Sequence, residues 1–216
     1  MKKTELQIAI ALVALAGATQ IAKADLIPYG NVGTPNPVTY TFTAAASGDI
    51  IAYFAGSTAS YDNELGMLVN GVSTGVIGLD NHTSALGQSL NLGYANAGDT
   101  LVFVLQNNTL GMDAYSDPSL NTAYDINGSD GHNHVYSTAY TGGGPIIDSI
   151  PAGTYVAFED LPFPNSDFNY FDETYVFTDV AVTSTVPEPT TMLAGALLLL
   201  PFGASTLRIL RKNRAA

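Results

Sequence analysis

Between Asp25 and Pro187 this chain contains no lysine and no arginine. All seven basic residues sit in the terminal segments, as Lys2, Lys3, Lys23, Arg208, Arg211, Lys212 and Arg214. Of the 19 acidic residues only Glu5 and Glu188 fall outside that span, which leaves 17 within it. A body of this kind repels itself at low ionic strength. It is not expected to form a salt bridge, so bound cations, ionic strength or raised carboxyl pKa values must relieve the repulsion. It has nothing with which to neutralise phosphates, which excludes nucleic acid as a partner. There is no cysteine, so disulfides and thiolate metal sites are excluded too.

The chain ends differ from the body. Lys2 and Lys3 precede an apolar run over 8–18 and then Ala22-Lys23-Ala24. A basic start, a short apolar core and a small-x-small site describe a secretory signal over 1–24, cleaved after Ala24, with Ala22 and Ala24 as the small residues. Residues 25–37 form a Pro/Gly/Asn lead-in, expected to be extended.

Across 38–182 the composition is rich in Gly, Asn, Thr, Ser and Tyr, a strand-and-turn vocabulary. Strands are expected over 38–43, 49–55, 65–69, 72–79, 90–94, 100–106, 134–140, 146–150, 154–158 and 174–182. Asn70-Gly71 marks a tight hairpin between the third and fourth of these. Regular spacing with turn signals and no helical period points to one all-β domain, an antiparallel sandwich or jelly roll. A polar linker over 183–186 follows.

The densest chemistry lies between the last two strands. Phe158-Glu159-Asp160-Leu161 leads through Pro162 and Pro164 to Asp167-Phe168-Asn169-Tyr170-Phe171-Asp172-Glu173. Five carboxylates and an amide without a nearby cation are what a hard divalent ion such as calcium requires. The candidate ligands are Glu159, Asp160, Asp167, Asn169 and Asp172. A solvated acidic loop closing a hairpin accounts for the same residues. Paired carboxylates can also act as a glycosidase acid and base, at a separation that sequence does not supply.

Three further patterns bear on function. Asp125-Ile126-Asn127-Gly128-Ser129-Asp130-Gly131 alternates oxygen ligands like a calcium loop. It misses the EF-hand register, since Asp130 holds the required Gly position and no Glu closes it. Asp125, Asn127 and Asp130 either form an Asx-rich turn or lend ligands to a site completed elsewhere. His132-Asn133-His134 places two imidazoles on one side of a strand, which fits a transition-metal site or, more simply, a surface loop. Gly71-Val72-Ser73-Thr74-Gly75 fits the hydrolase nucleophile pattern, but it runs into strand rather than helix, so Ser73 is not read as a nucleophile.

After the linker, Val186-Pro187-Glu188-Pro189 precedes an apolar segment over 190–207 that ends in Arg208, Arg211, Lys212 and Arg214. That length can span a bilayer as a helix, with the basic cluster on the cytoplasmic side. Pro187-Glu188-Pro189, the apolar helix and the basic end, over 187–214, resemble the PEP-CTERM sorting signal of exported bacterial proteins. The resemblance implies processing by an exosortase, a membrane transpeptidase-like enzyme, in a Gram-negative producer of biofilm and exopolysaccharide. A second resemblance covers roughly 128–180. The runs 131–136, Ile150-Pro151-Ala152-Gly153, Phe158-Glu159-Asp160-Leu161 and Ser166-Asp167-Phe168-Asn169-Tyr170 with Asp172 are similar to a β-rich extracellular module of unknown function, often found ahead of such a tail. Its pattern has Gly where this chain has Ala157, and an extra acidic residue between Ser166 and Phe168.

These readings converge on an exported, non-enzymatic surface protein, anchored by its C-terminal helix until an exosortase acts. It would be stabilised by calcium and associated with an exopolysaccharide matrix. A carbohydrate-binding or glycan-cleaving protein is the alternative, with Tyr115, Tyr124, Tyr136 and Tyr140 as stacking residues in a chain without Trp. A ligand-free spacer is the third.

Overall fold

A computed structural model describes residues 27–125, 131–143 and 149–186. The secretory signal, Asn127, Asp130 and the sorting signal (Pro187, Glu188, Pro189, Arg208, Arg211, Lys212 and Arg214) lie outside the described residues. So does most of the expected strand over 146–150, whose described end, Ser149 and Ile150, is a turn and a bend.

The described chain is all-β. Its strands are β1 (Thr39–Ala44), β2 (Gly48–Ser57), β3 (Asn63–Val69), β4 (Val72–Gly78), β5 (Ser89–Ala95), β6 (Thr100–Asn107), β7 (Met112–Tyr115), β8 (Val135–Tyr140), β9 (Gly153–Phe158), β10 (Glu173–Phe177) and β11 (Val180–Thr185). A short 3-10 turn, Pro118–Leu120, follows β7. One antiparallel sheet runs β11-β1-β6-β3-β4, with β7 also on β6. The other runs β5-β2-β10-β9-β8. The Asn70-Gly71 hairpin is present, both residues having positive φ (50° and 80°), as a type I′ turn requires.

Two expectations need correction. The segment 183–185 is not a linker but the outer part of β11, with Thr39 opposite Thr185 across the ladder. The expected single strand over 174–182 is two. Asp179, at φ 59°, turns the chain between them, and Thr178 N–H bonds to Ile51 while Ala45 N–H bonds to Asp179. The chain thus passes from one sheet to the other within two residues. Strand β7 was not anticipated, since Met-Asp-Ala-Tyr is only four residues long and too short to show a period.

The two sheets share one core. Phe103 of β6 stacks on Phe177 of β10 at 3.8 Å between ring centroids and 18° between planes. Phe42 meets Phe103 edge-on at 5.2 Å, and Tyr175, Phe54 and Phe158 extend the aromatic cluster. All five residues of β10 are buried, so this strand is covered on both faces. A second apolar layer, Ala55, Tyr140, Ile150, Tyr155, Ala157 and Val176, lies on the other side, with Ile27 and Tyr136 against it. The lead-in is therefore docked. Tyr155 Oη accepts from Ile27 N–H, Tyr170 Oη accepts from Asn36 N–H, and Tyr29 packs edge-on to Tyr170 at 4.9 Å. It turns at Gly30–Gly33 rather than running straight.

Gly153 opens β9 because nothing larger fits there. A Cβ would lie 2.3 Å from the carbonyl oxygen of Phe177.

Candidate metal centre

The loop between β9 and β10 is short in space because both its ends are neighbours in one sheet, with Phe158 paired to Glu173. Asp172 N–H still donates to Phe158 C=O, so the ladder extends one step and brings Glu159, Asp160 and Asp172 together. The far part of the loop folds back over them. Phe168 and Tyr170 both adopt positive φ (52° and 54°), which costs on the order of 1 kcal/mol each for residues with a Cβ. Burial of the Tyr170 ring and its hydroxyl bond to Asn133 C=O offset that cost.

Glu159, Asp167 and Asp172 each offer an oxygen, and all three lie within 4.8 Å of one another. Glu159 and Asp172 are buried and Asp167 is exposed, so the group opens to solvent on one side. This set can hold a metal ion. Glu159 accepts from Leu161 N–H and Asn169 N–H, Asp172 from Asp160 N–H at 3.1 Å, and Asp167 from Asn169 N–H. Hydrogen bonds of this kind orient carboxylates while leaving lone pairs for an ion.

Two sequence-derived ligands are placed otherwise. Asn169 turns its amide NH2 to Asp167 (3.0 Å) and Asp172 (3.3 Å), and its Oδ1 accepts from Phe171 N–H. Its amide thus bridges two of the three carboxylates. Asp160 sits behind the group, its Oδ2 accepting from Asn63 Nδ2 at 2.8 Å.

Burial dominates the electrostatics. It pushes Glu159 up to about 8, with the charges of Asp172 and Asp167 adding to the rise. It pushes Asp172 up to about 7, with Asp160 adding. Asp160 and Glu173 are also raised by burial, Glu173 well above the ordinary range. Without a cation, protons must hold part of this charge. A divalent ion would displace them.

Behind the three carboxylates is a polar layer that the sequence did not announce. Asn63, at the start of β3 in the first sheet, donates to Asp160 and, at 3.4 Å, to Glu173 in the second sheet. Ser57 Oγ donates to Glu173 at 3.2 Å. Asn63 lies in the fully buried end of the interface, and its own Oδ1 has no donor among the described residues. No motif marks Asn63, because its role comes from a partner 97 residues away.

Asp125 is engaged elsewhere. Its carboxylate accepts from His132 N–H at 2.8 Å and Phe163 N–H at 3.0 Å, and it meets His134 Nε2 at 2.8 Å and His132 Nδ1 at 3.1 Å. Burial alone would raise this carboxyl, but the His134 and His132 hydrogen bonds outweigh it and hold it well below the usual carboxylate range. Both nitrogens of His134 face acceptors, Asp125 on one side and Glu159 C=O on the other. The buried ring bridges the Asp125 carboxylate to the Glu159 backbone, and when protonated it pairs with that carboxylate in a body expected to form no salt bridge. His134 is therefore no surface-loop residue. His132, one third exposed, stacks on Phe163 at 3.8 Å. The spacing of the two histidines does put them on one side, but their common partner is a carboxylate rather than a metal.

Of the tyrosines expected to stack on sugar, Tyr124 and Tyr140 are buried. Tyr124 donates its hydroxyl to Asp160 C=O and so fixes the base of the acidic loop. Ser73 lies on β4 just after the hairpin, in keeping with its reading as strand.

No family model, no curated protein and no solved structure matches this chain.

Proposed function

We propose that this protein is an exported β-sandwich domain that binds calcium through Glu159, Asp167 and Asp172 and acts without catalysis at the cell surface. The observation that carries the metal reading is the convergence of these three carboxylates, two of them buried, in a body without lysine or arginine. Three oxygens on one side and open solvent on another suit calcium, which takes 6–8 oxygen ligands and completes its shell with water. A transition metal would prefer imidazole, and both histidines nearby are bound to Asp125.

Export, sorting and matrix association rest on the sequence. The basic-apolar-small start and the Pro187-Glu188-Pro189 tail support secretion and recognition by an exosortase-type enzyme.

Thermal melting of the full-length protein with calcium, magnesium and chelator tests the metal reading. Calcium at millimolar concentration should raise Tm, chelator should reverse it, and magnesium should do less. A Tm indifferent to calcium overturns it.

A further inference from the structure

One edge of strand β6 is claimed by two partners. β1 pairs with it at Phe42–Leu101 and Thr43–Thr100, and β7 pairs with it from Val104 onward. Continuing the β1 register would set Tyr40 opposite Phe103. Phe103 instead donates its N–H to Ser116 Oγ and accepts Ser116 N–H on its carbonyl, both at 2.9 Å. Ala44 N–H bonds toward β6, at Asp99, and backbone direction alternates along a strand. The N–H and C=O of Tyr40 therefore point to the same side, toward a position that Ser116 has taken. β1 and the 3-10 turn stand apart there, leaving a cleft of about 340 Å3 between Thr39–Phe42, Thr100–Val102 and Ser116–Ser119.

The chemistry of this cleft is specific. Thr41 and Ser119 bring exposed hydroxyls, while that of Thr39 is paired with Thr185 Oγ1 at 2.6 Å. Asp117 accepts the N–H and Oγ of Ser119 on Oδ1, while among the described residues no donor reaches its Oδ2. Tyr40 is half-buried, its ring close to parallel with Phe42. No cationic side chain lines the cleft, so it does not suit an anion. A ligand dense in hydroxyls fits this mix of donors and acceptors, and the volume is at the lower end of the ~300–1,000 Å3 common for small-ligand sites. An added peptide strand fits less well. Strand addition draws on a run of free main-chain groups, and here one residue supplies them.

We propose that this cleft binds a neutral sugar residue of a polysaccharide. The proposal deepens the matrix association above, but it uses none of the calcium residues, so the calcium melting result stands or falls without it.

Saturation-transfer NMR tests it on the full-length protein with cellotetraose, maltotetraose, xylotetraose and chitotetraose. At least one should receive saturation, with millimolar affinity. Ser119→Trp, which fills the cleft from an exposed position, should abolish the transfer. Asp117→Asn keeps an oxygen for the Ser119 N–H but loses the charged acceptor, and should weaken binding about tenfold. Both variants should keep the calcium-dependent Tm of the parent. Absence of transfer to all four sugars overturns the proposal. So does transfer that persists unchanged in both variants.

Discussion

The backbone N–H of Asp160 donates to Oδ2 of Asp172 at 3.1 Å, across the mouth of the β9–β10 loop. This bond ties the last residues before the loop to the last residue within it, and it points a buried carboxylate at Glu159 and Asp167. The carboxylates are held by backbone geometry rather than by counter-ions. Two predictions concern this group of carboxylates, and two more concern the packing around it.

Asp172→Asn should remove the calcium-induced rise in Tm. In chelator, the same variant should melt no lower than the parent and by a few degrees higher at pH 8, because an amide replaces a charge that burial disfavours. Differential scanning calorimetry with and without calcium reads both effects.

Metal-free stability should fall as pH rises from about 4.5 to about 8. Glu159 and Asp172 have raised pKa values in the folded state, so the folded chain binds more protons than the unfolded one across that window. Their stabilising effect is complete below the unfolded values and is lost as pH passes the folded ones. Calcium should reverse the trend, since it binds the ionised forms. Titration calorimetry at pH 7 in buffers of differing ionisation enthalpy should show release of about one proton per calcium.

His134→Phe should cost about 1.5–3 kcal/mol, because it removes one charge-assisted bond from the buried Asp125 carboxylate while the His132 and Phe163 N–H donors remain. Adding Asp125→Asn should return part of that loss, giving a coupling of about 1 kcal/mol or more in a urea-melt double-mutant cycle. Strict additivity would mean that the two side chains do not form an ion pair.

Phe177→Ala should destabilise by about 3–5 kcal/mol, since it removes the ring that stacks on Phe103 between the two sheets. Urea denaturation should show a lower midpoint with an unchanged slope if the two sheets still unfold as one unit.

Much of the fold was legible because its strands carry local signals. Asn70-Gly71 and the apolar run of β6 identify themselves without reference to the rest of the chain. β7 did not, because four residues with one buried side chain leave no period to detect. The division of 174–182 into two strands turned on Asp179 taking a left-handed conformation, which no local composition demanded. At the site, the acidic loop was visible as a run of oxygens, and Glu159, Asp167 and Asp172 do converge. For Asn169 the sequence shows an amide but not which end of it faces the carboxylates. Asn63 and Asp125 were out of reach for a different reason. Their roles are set by partners on other strands, and only the register of the two sheets supplies those.

The pairing of Thr39 with Thr185 has a mechanical consequence. β1 and β11 are antiparallel neighbours, so once the lead-in has been pulled off Tyr155 and Tyr170 the two ends of the chain leave side by side at one end of a ladder. A pull between the two ends would load that ladder one rung at a time, starting at the Thr39–Thr185 pair, instead of shearing all six pairs together. The strands would part like a zip, at low force. A load applied to the far end of the domain and resisted only at Thr185 would bypass this weak mode and draw on the whole sheet.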